Sequence, residues 1–193
     1  MITQLRGRLV EVHPSYAVVD CNGVGYWVNI SLNTYSSLVI DEVITLYTQQ
    51  IIRDDAHLLY GFNTIEERSI FQKLISVNGV GPASAMMMLS TLSPKEIQTA
   101  IYTEDAKLLQ SVKGIGAKTA QRIIIDLKDK LEEINLEDVN SLPHKNKTRI
   151  EALSALEVLG IPRKLAEKTI DQVLDKNADA TVETLVKETL KKL

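Results

Sequence analysis

Two short glycine runs are the residues best placed to do chemistry. They are Val77-Asn78-Gly79-Val80-Gly81-Pro82-Ala83-Ser84-Ala85 and, 35 residues on, Val112-Lys113-Gly114-Ile115-Gly116-Ala117-Lys118-Thr119-Ala120. Each copy follows one helical segment and leads into another. Paired glycines let the backbone turn tightly and approach a ligand without Cβ interference. The next helix begins at the turn, so its unpaired N–H groups and positive dipole end face whatever lies against it. That is an anion site, and a phosphate group fits it. Val80 and Ile115 would anchor the two turns in a core. Lys118 and Arg122 lie four apart at the start of the second helix and add charge to one face. Contacts of this kind hold a phosphate backbone but read no base sequence. One Gly-x-Gly could be a mere connector between helices; two copies with matching flanks argue for a shared ligand.

Other chemistries fit less well. Gly114-Ile115-Gly116-Ala117-Lys118-Thr119 is close to a P-loop, but that loop needs Gly directly before Lys-Thr, where Ala117 stands. Gly79-Val80-Gly81 lacks the third glycine of a dinucleotide fingerprint, where Ser84 sits, and follows a helix rather than a strand. Neither ATP nor NAD is expected, nor any other cofactor. Asp54 and Asp55 lie side by side between two apolar runs, at the tip of an expected hairpin. A solvated turn explains such a pair; paired catalytic carboxylates holding Mg²⁺ are the sharper alternative. His13, His57 and His144 have no metal-ligand spacing, and the single cysteine, Cys21, cannot build a zinc site or a disulfide framework.

The 193 residues are 45% hydrophobic and 24% charged, as in an ordinary soluble globular protein. No run approaches the roughly 18 apolar residues of a membrane span, and no signal peptide is visible, so a cytoplasmic protein is expected. A net charge of −3, taken over the whole chain, argues against a nucleic-acid partner. Division by segment reverses that inference. Residues 1–63 hold three basic and six acidic side chains, and residues 132–147 hold two and four. Residues 148–193 are balanced at eight of each. Only residues 64–131, with nine basic against seven acidic, are net positive, and they contain both glycine runs.

These residues need elements to position them. Residues 1–63 read as β structure, with β-branched or aromatic runs at 9–12, 17–20, 25–30, 43–47 and 57–60. So small a sheet gains most by closing its edges, which predicts a small antiparallel barrel. From Thr64 the period becomes helical. Thr64-x-x-Glu67 predicts a capping box, with Ile65, Phe71, Leu74 and Ile75 on one face. Ser93-Pro94-Lys95-Glu96 repeats the signal, and Thr103-Glu104-Asp105 predicts a third helix start. Residues 132–147 are polar, hold a proline and read as a linker. After them, Ile150, Leu153, Leu156 and Leu159 fit a helix ended by Gly160; Pro162 opens a second and Thr181 a third. The expected organisation is a barrel at 1–63, a helical region at 64–131, a linker, and a three-helix bundle at 148–193.

On these residues the chain resembles the RuvA family, bacterial subunits that recognise Holliday junctions during branch migration. The likeness runs from Arg6-Gly7 to the last helix. It is most specific at Gly23-Val24-Gly25-Tyr26, at Arg53-Asp54-Asp55-Ala56-His57-Leu58-Leu59-Tyr60-Gly61-Phe62, at Asn78-Gly79-Val80-Gly81-Pro82 and at Gly114-Ile115-Gly116-x-Lys118-Thr119-Ala120. The resemblance implies an α+β multidomain fold: an OB-like barrel, two tandem helix-hairpin-helix motifs and a tethered three-helix domain. It implies DNA contacts from Asn78, Gly79, Val80, Gly81 and Ala83 in the first hairpin. In the second they come from Gly114, Ile115, Gly116, Lys118, Thr119 and Arg122. Asp54 and Asp55 become an acidic pin at the junction centre. The implied assembly is a homotetramer, in some cases two tetramers face to face as an octamer. The implied subunit is non-catalytic, and its ATPase is a separate RuvB-type hexamer docked through Leu156, Leu159 and Ile161. A RuvC-type resolvase is a further implied partner. The chain departs from the family at Ala83 and Ala117, where relatives often carry Lys, so the first hairpin has no local cation. Asp54 stands where some relatives have Glu. Two other readings stay open at this point: a metal-dependent nuclease using Asp54 and Asp55, and a plain duplex-binding module.

Overall fold

All five β-runs become strands: β1 (Gln4–His13), β2 (Tyr16–Cys21), β3 (Val24–Ile30), β4 (Val43–Ile52) and β5 (His57–Phe62). The computed structural model describes residues 1–131, 144–174 and 180–192. The strands close into a barrel in the order β1-β2-β3-β5-β4, with β1 paired to β4 at the seam. Leu5, Leu9, Ala17, Val19, Val28, Ile30 and Leu46 are buried in the barrel core, alternating with more exposed neighbours. The expected antiparallel barrel has one exception. β3 and β5 run parallel through Asn29 opposite Tyr60 and Ile30 opposite Gly61. Parallel neighbours need a crossover. Here it consists of a short helix absent from the sequence reading, α1 (Leu32–Tyr35), followed by β4.

β5 is buried on both faces, which is why residues 58–62 read as a continuous apolar run rather than an alternating one. Leu59 joins the barrel core, while Tyr60 and Phe62 join a second core built by the helices that follow. There they flank Phe71, at centroid distances of 5.1 Å and 4.9 Å. The helices of this core are α2 (Ile65–Ile75), α3 (Pro82–Thr91), α4 (Pro94–Tyr102), α5 (Ala106–Gln110) and α6 (Ala117–Leu131). Barrel and helices form one compact unit, Met1–Ile134.

The helix starts follow the expected capping residues with two corrections. At Ser93 the box is complete: Ser93 Oγ accepts from the Glu96 N–H, and Glu96 Oε2 accepts from the Ser93 N–H at 2.8 Å. Those bonds hold the Glu96 carboxyl below its ordinary value. At Thr64 only half the box forms. Thr64 Oγ1 accepts from the Glu67 N–H at 3.1 Å, but the Glu67 side chain turns away into the protein. Ile65, expected on the buried face, is exposed, and Ile70, Phe71 and Leu74 make that face. α5 starts at Asp105, which is itself the N-cap.

The second compact unit is Asn135–Leu193. Its helices are α7 (His144–Val158), α8 (Arg163–Leu174) and α9 (Val182–Lys192), around a core that includes Leu153, Leu156, Ile170 and Leu185. Gly160, at φ +84°, follows the end of α7. Arg149 binds Asp171 through two parallel bonds of 2.7 Å and 3.0 Å, tying α7 to α8. Of the expected linker, residues 132–143 lie outside the described residues, and α7 begins at His144, within that stretch.

Candidate nucleic-acid interface

The two glycine runs fold into matching hairpins. Gly79 and Gly114 take φ of +92° and +91°, a left-handed conformation that favours glycine. The next residue in each copy closes the turn: the Val80 N–H donates to the Val77 carbonyl at 3.0 Å, and the Ile115 N–H donates to that of Val112 at 3.1 Å. Val80 and Ile115 are both buried, as are Ala85 and Ala120 at the same point of the following helices. The Ala85 N–H donates to Gly81 O at 3.0 Å, and the Ala120 N–H donates to Gly116 O at 2.9 Å.

The second glycine of each pair has a different reason to be there. Gly81 sits at φ −84°, where any residue is comfortable, and Gly116 is not left-handed either. A Cβ at either position would meet nothing within 4 Å. Packing inside the unit therefore does not require glycine at these two sites. Close approach of an outside ligand would. Gly81 is the N-cap of α3 and has no side-chain capping bond. Pro82 has no N–H and that of Ala85 bonds Gly81 O, so the N–H groups of Ala83 and Ser84 are the ones this helix start could offer a ligand.

Arg122 does more than the sequence reading assigned to it. Its Nη1 donates to the Asn78 carbonyl at 3.1 Å, and it lies 3.8 Å from where a Cβ on Gly79 would be. The second repeat thus supplies a guanidinium to the first. This corrects the expectation that Ala83 leaves the first hairpin without a nearby cation. Lys118 is exposed on α6. Lys113, also exposed, occupies the place of Asn78 in the second copy and was missed, although the aligned repeat marks it.

Asp54 and Asp55 form the tip of the β4–β5 hairpin. Ile52 is opposite His57, and the Arg53 N–H donates to Ala56 O at 2.8 Å, leaving both carboxylates exposed. Among the described residues, no group of three or more His, Cys, Asp or Glu is placed to hold a metal ion. In the second unit the expected docking residues separate. Leu156 is fully buried in the core, a correction: its position on α7 turns it inward, so it cannot meet a partner directly. Ile161 is half-buried against the same core, and Leu159 is exposed beside an exposed Val158.

Three family models match successive stretches of the chain. Residues 1–61 match the family model RuvA N terminal domain, and residues 71–129 match SAM-like Helix-hairpin-helix tandem. Residues 149–193 match RuvA, C-terminal domain. The chain is 49% identical to a protein of Christiangramia forsetii and 50% identical to one of Flavobacterium psychrophilum. In both cases the alignment covers 100% of each chain. It is 45% identical, again over the full length of both, to one of Bacteroides thetaiotaomicron. Each of these is named Holliday junction branch migration complex subunit RuvA. With that identity over its whole length, and with a closed barrel, tandem hairpins and a three-helix unit in order, the chain belongs to the RuvA family.

Proposed function

We propose that this chain binds four-way DNA junctions by shape and charge, without reading base sequence, as the non-catalytic subunit of a branch-migration complex in recombination and repair. The observation that carries this reading is the pair of matching hairpins, each with a glycine that its own fold does not require. Gly81, Gly116 and the helix starts beside them grip phosphates; Asn78, Gly79, Val80, Ala83, Gly114, Ile115 and Thr119 shape the grip. Arg122, Lys113 and Lys118 supply the charge. Asp54 and Asp55 lie in the same compact unit as the hairpins. Gathered from four subunits of a homotetramer, or eight of an octamer, these carboxylates repel a continuous backbone at the centre. That repulsion disfavours linear duplex and leaves an open junction as the preferred ligand.

The second unit recruits a separate RuvB-type hexameric ATPase through the exposed pair Val158 and Leu159, with Ile161 beside them and Leu156 supporting them from within. A RuvC-type resolvase acts on the same junction. The setting is the bacterial cytoplasm; no described helix is long and apolar enough to cross a membrane. A gel-shift comparison of a four-way junction with a linear duplex of equal length, with and without Mg²⁺, tests the function. Tighter junction binding with no cleavage is expected. Metal-dependent nicking would make it a nuclease, and equal affinities would make it a plain duplex binder.

A further inference from the structure

Glu67 is the one described acidic side chain buried in the first unit, with 3% of its surface exposed. A buried carboxylate is costly unless its oxygens are satisfied. Both are: Oε1 accepts from Ser31 Oγ, and Oε2 accepts from Thr34 Oγ1 at 2.7 Å. The same two hydroxyls are used again. Thr34 Oγ1 accepts from the Asn63 N–H at 3.1 Å, and Ser31 Oγ accepts from the Thr34 N–H at 3.0 Å. Together they fasten α1 of the barrel to the corner where β5 ends and α2 begins.

That corner has a particular place in the chain. β5 runs from His57, just past the Asp54–Asp55 tip, to Phe62, and α2 runs from Ile65 to Ile75, just before the first hairpin. The two arms measure about 20 Å and about 16 Å. A swing of about 10° at the corner would carry the end of the arm of about 20 Å about 3.5 Å, further than a hydrogen bond tolerates. Phe71 against Tyr60 and Phe62 fills the corner. α2 also bonds the barrel through Arg68 Nη1 to Thr3 O at 2.8 Å and Gln72 Nε2 to Gln49 Oε1 at 2.6 Å. Those two bonds are exposed to water, whereas the Glu67 bonds are buried. α1 also reaches the far end of α3: Asn33 Nδ2 donates to the carbonyls of Leu89 at 2.5 Å and Leu92 at 3.1 Å.

We propose that Glu67 is a positioning residue that sets the distance between the Asp54–Asp55 tip and the first phosphate-binding hairpin, and thereby the preference for a junction over a linear duplex. This role rests on the junction-binding function proposed above, so wild-type protein is measured first. A wild type without junction preference removes that function and this role with it. Given a preference, Glu67→Gln is expected to lower the ratio of junction to duplex affinity about fivefold. Duplex affinity and its salt dependence should stay at wild-type values, since the hairpins are untouched. If Glu67→Gln does not fold, Thr34→Val removes one donor to the carboxylate at nearly constant shape and is expected to lower the ratio likewise. Thr34→Ser, which keeps the hydroxyl, should restore it. A folded Glu67→Gln or Thr34→Val protein with the wild-type ratio overturns the proposal, as does an equal loss of both affinities.

Discussion

The guanidinium of Arg122 donates to the carbonyl of Asn78 at 3.1 Å, joining the two glycine hairpins across 44 residues of sequence. One side chain of the second repeat thus braces the backbone of the first and brings charge to it. The two hairpins are a coupled pair.

Arg122→Ala is expected to weaken both junction and duplex binding and to lower the salt slope by about one unit. Lys118→Ala should lower the slope similarly without disturbing the bridge to Asn78. Affinity measured across a series of salt concentrations checks both. An affinity loss with an unchanged slope would assign Arg122 to packing alone.

The two glycines of each hairpin should respond differently to alanine. Gly79→Ala forces a side chain into a left-handed backbone and is expected to cost about 1 kcal/mol of stability, visible as a lower Tm. Gly81→Ala meets open space and should leave Tm unchanged. Its methyl group would instead stand between backbone and phosphate, weakening DNA binding about tenfold, the equivalent of about 1.4 kcal/mol. Unchanged DNA affinity in Gly81→Ala would remove the close-approach role.

Removal of residues 148–193 should leave junction binding intact, because the hairpins and the acidic tip all lie within Met1–Ile134. Stimulation of the proposed ATPase partner should disappear. In the full chain, Leu159→Asp on the exposed surface should do the same without unfolding the unit, whereas Leu156→Asp should unfold it. Thermal melts paired with an ATPase assay separate these outcomes; stimulation that survives Leu159→Asp would place the docking surface elsewhere.

Burial pushes the Glu67 carboxyl above its ordinary 4.5, against bonds from Ser31, Thr34 and Asn63 that pull it down. A raised value in the folded state means that folded protein holds this proton more tightly than the unfolded chain does. The stability from this group is therefore full below 4.5 and declines as pH rises towards the folded-state value. Glu67→Gln lacks that dependence. Its Tm relative to wild type should rise with pH through that window and then level off. A difference constant with pH would contradict the assignment.

Most of what local chemistry determines was legible in the chain. The β-branched runs, the glycine repeat, the Ser93 box and the Asp54–Asp55 turn each lie within a few residues of what shapes them. Contacts between distant residues were not. Thr64-x-x-Glu67 has the spacing of a capping box, yet Glu67 is claimed by Ser31 and Thr34, on a helix too short to leave a periodic signal. Ile65 fits the apolar period of α2, but the buried face is set by where Tyr60 and Phe62 place Phe71. Arg122 looked like a free cation because its partner is a backbone carbonyl, which has no sequence signature. Leu156 and Leu159 are both apolar and near one helix end; only the packing of the three helices shows which is inside.

The most direct measurement is the ratio of affinities for a four-way junction and a linear duplex, in wild type and in Asp54→Asn with Asp55→Asn. Wild type should prefer the junction. The double variant should bind linear duplex more tightly and lose much of that preference, since the repulsion that penalises a continuous backbone is gone. A wild type that binds both DNAs equally, or a double variant with an unchanged ratio, would contradict selection by charge at the junction centre.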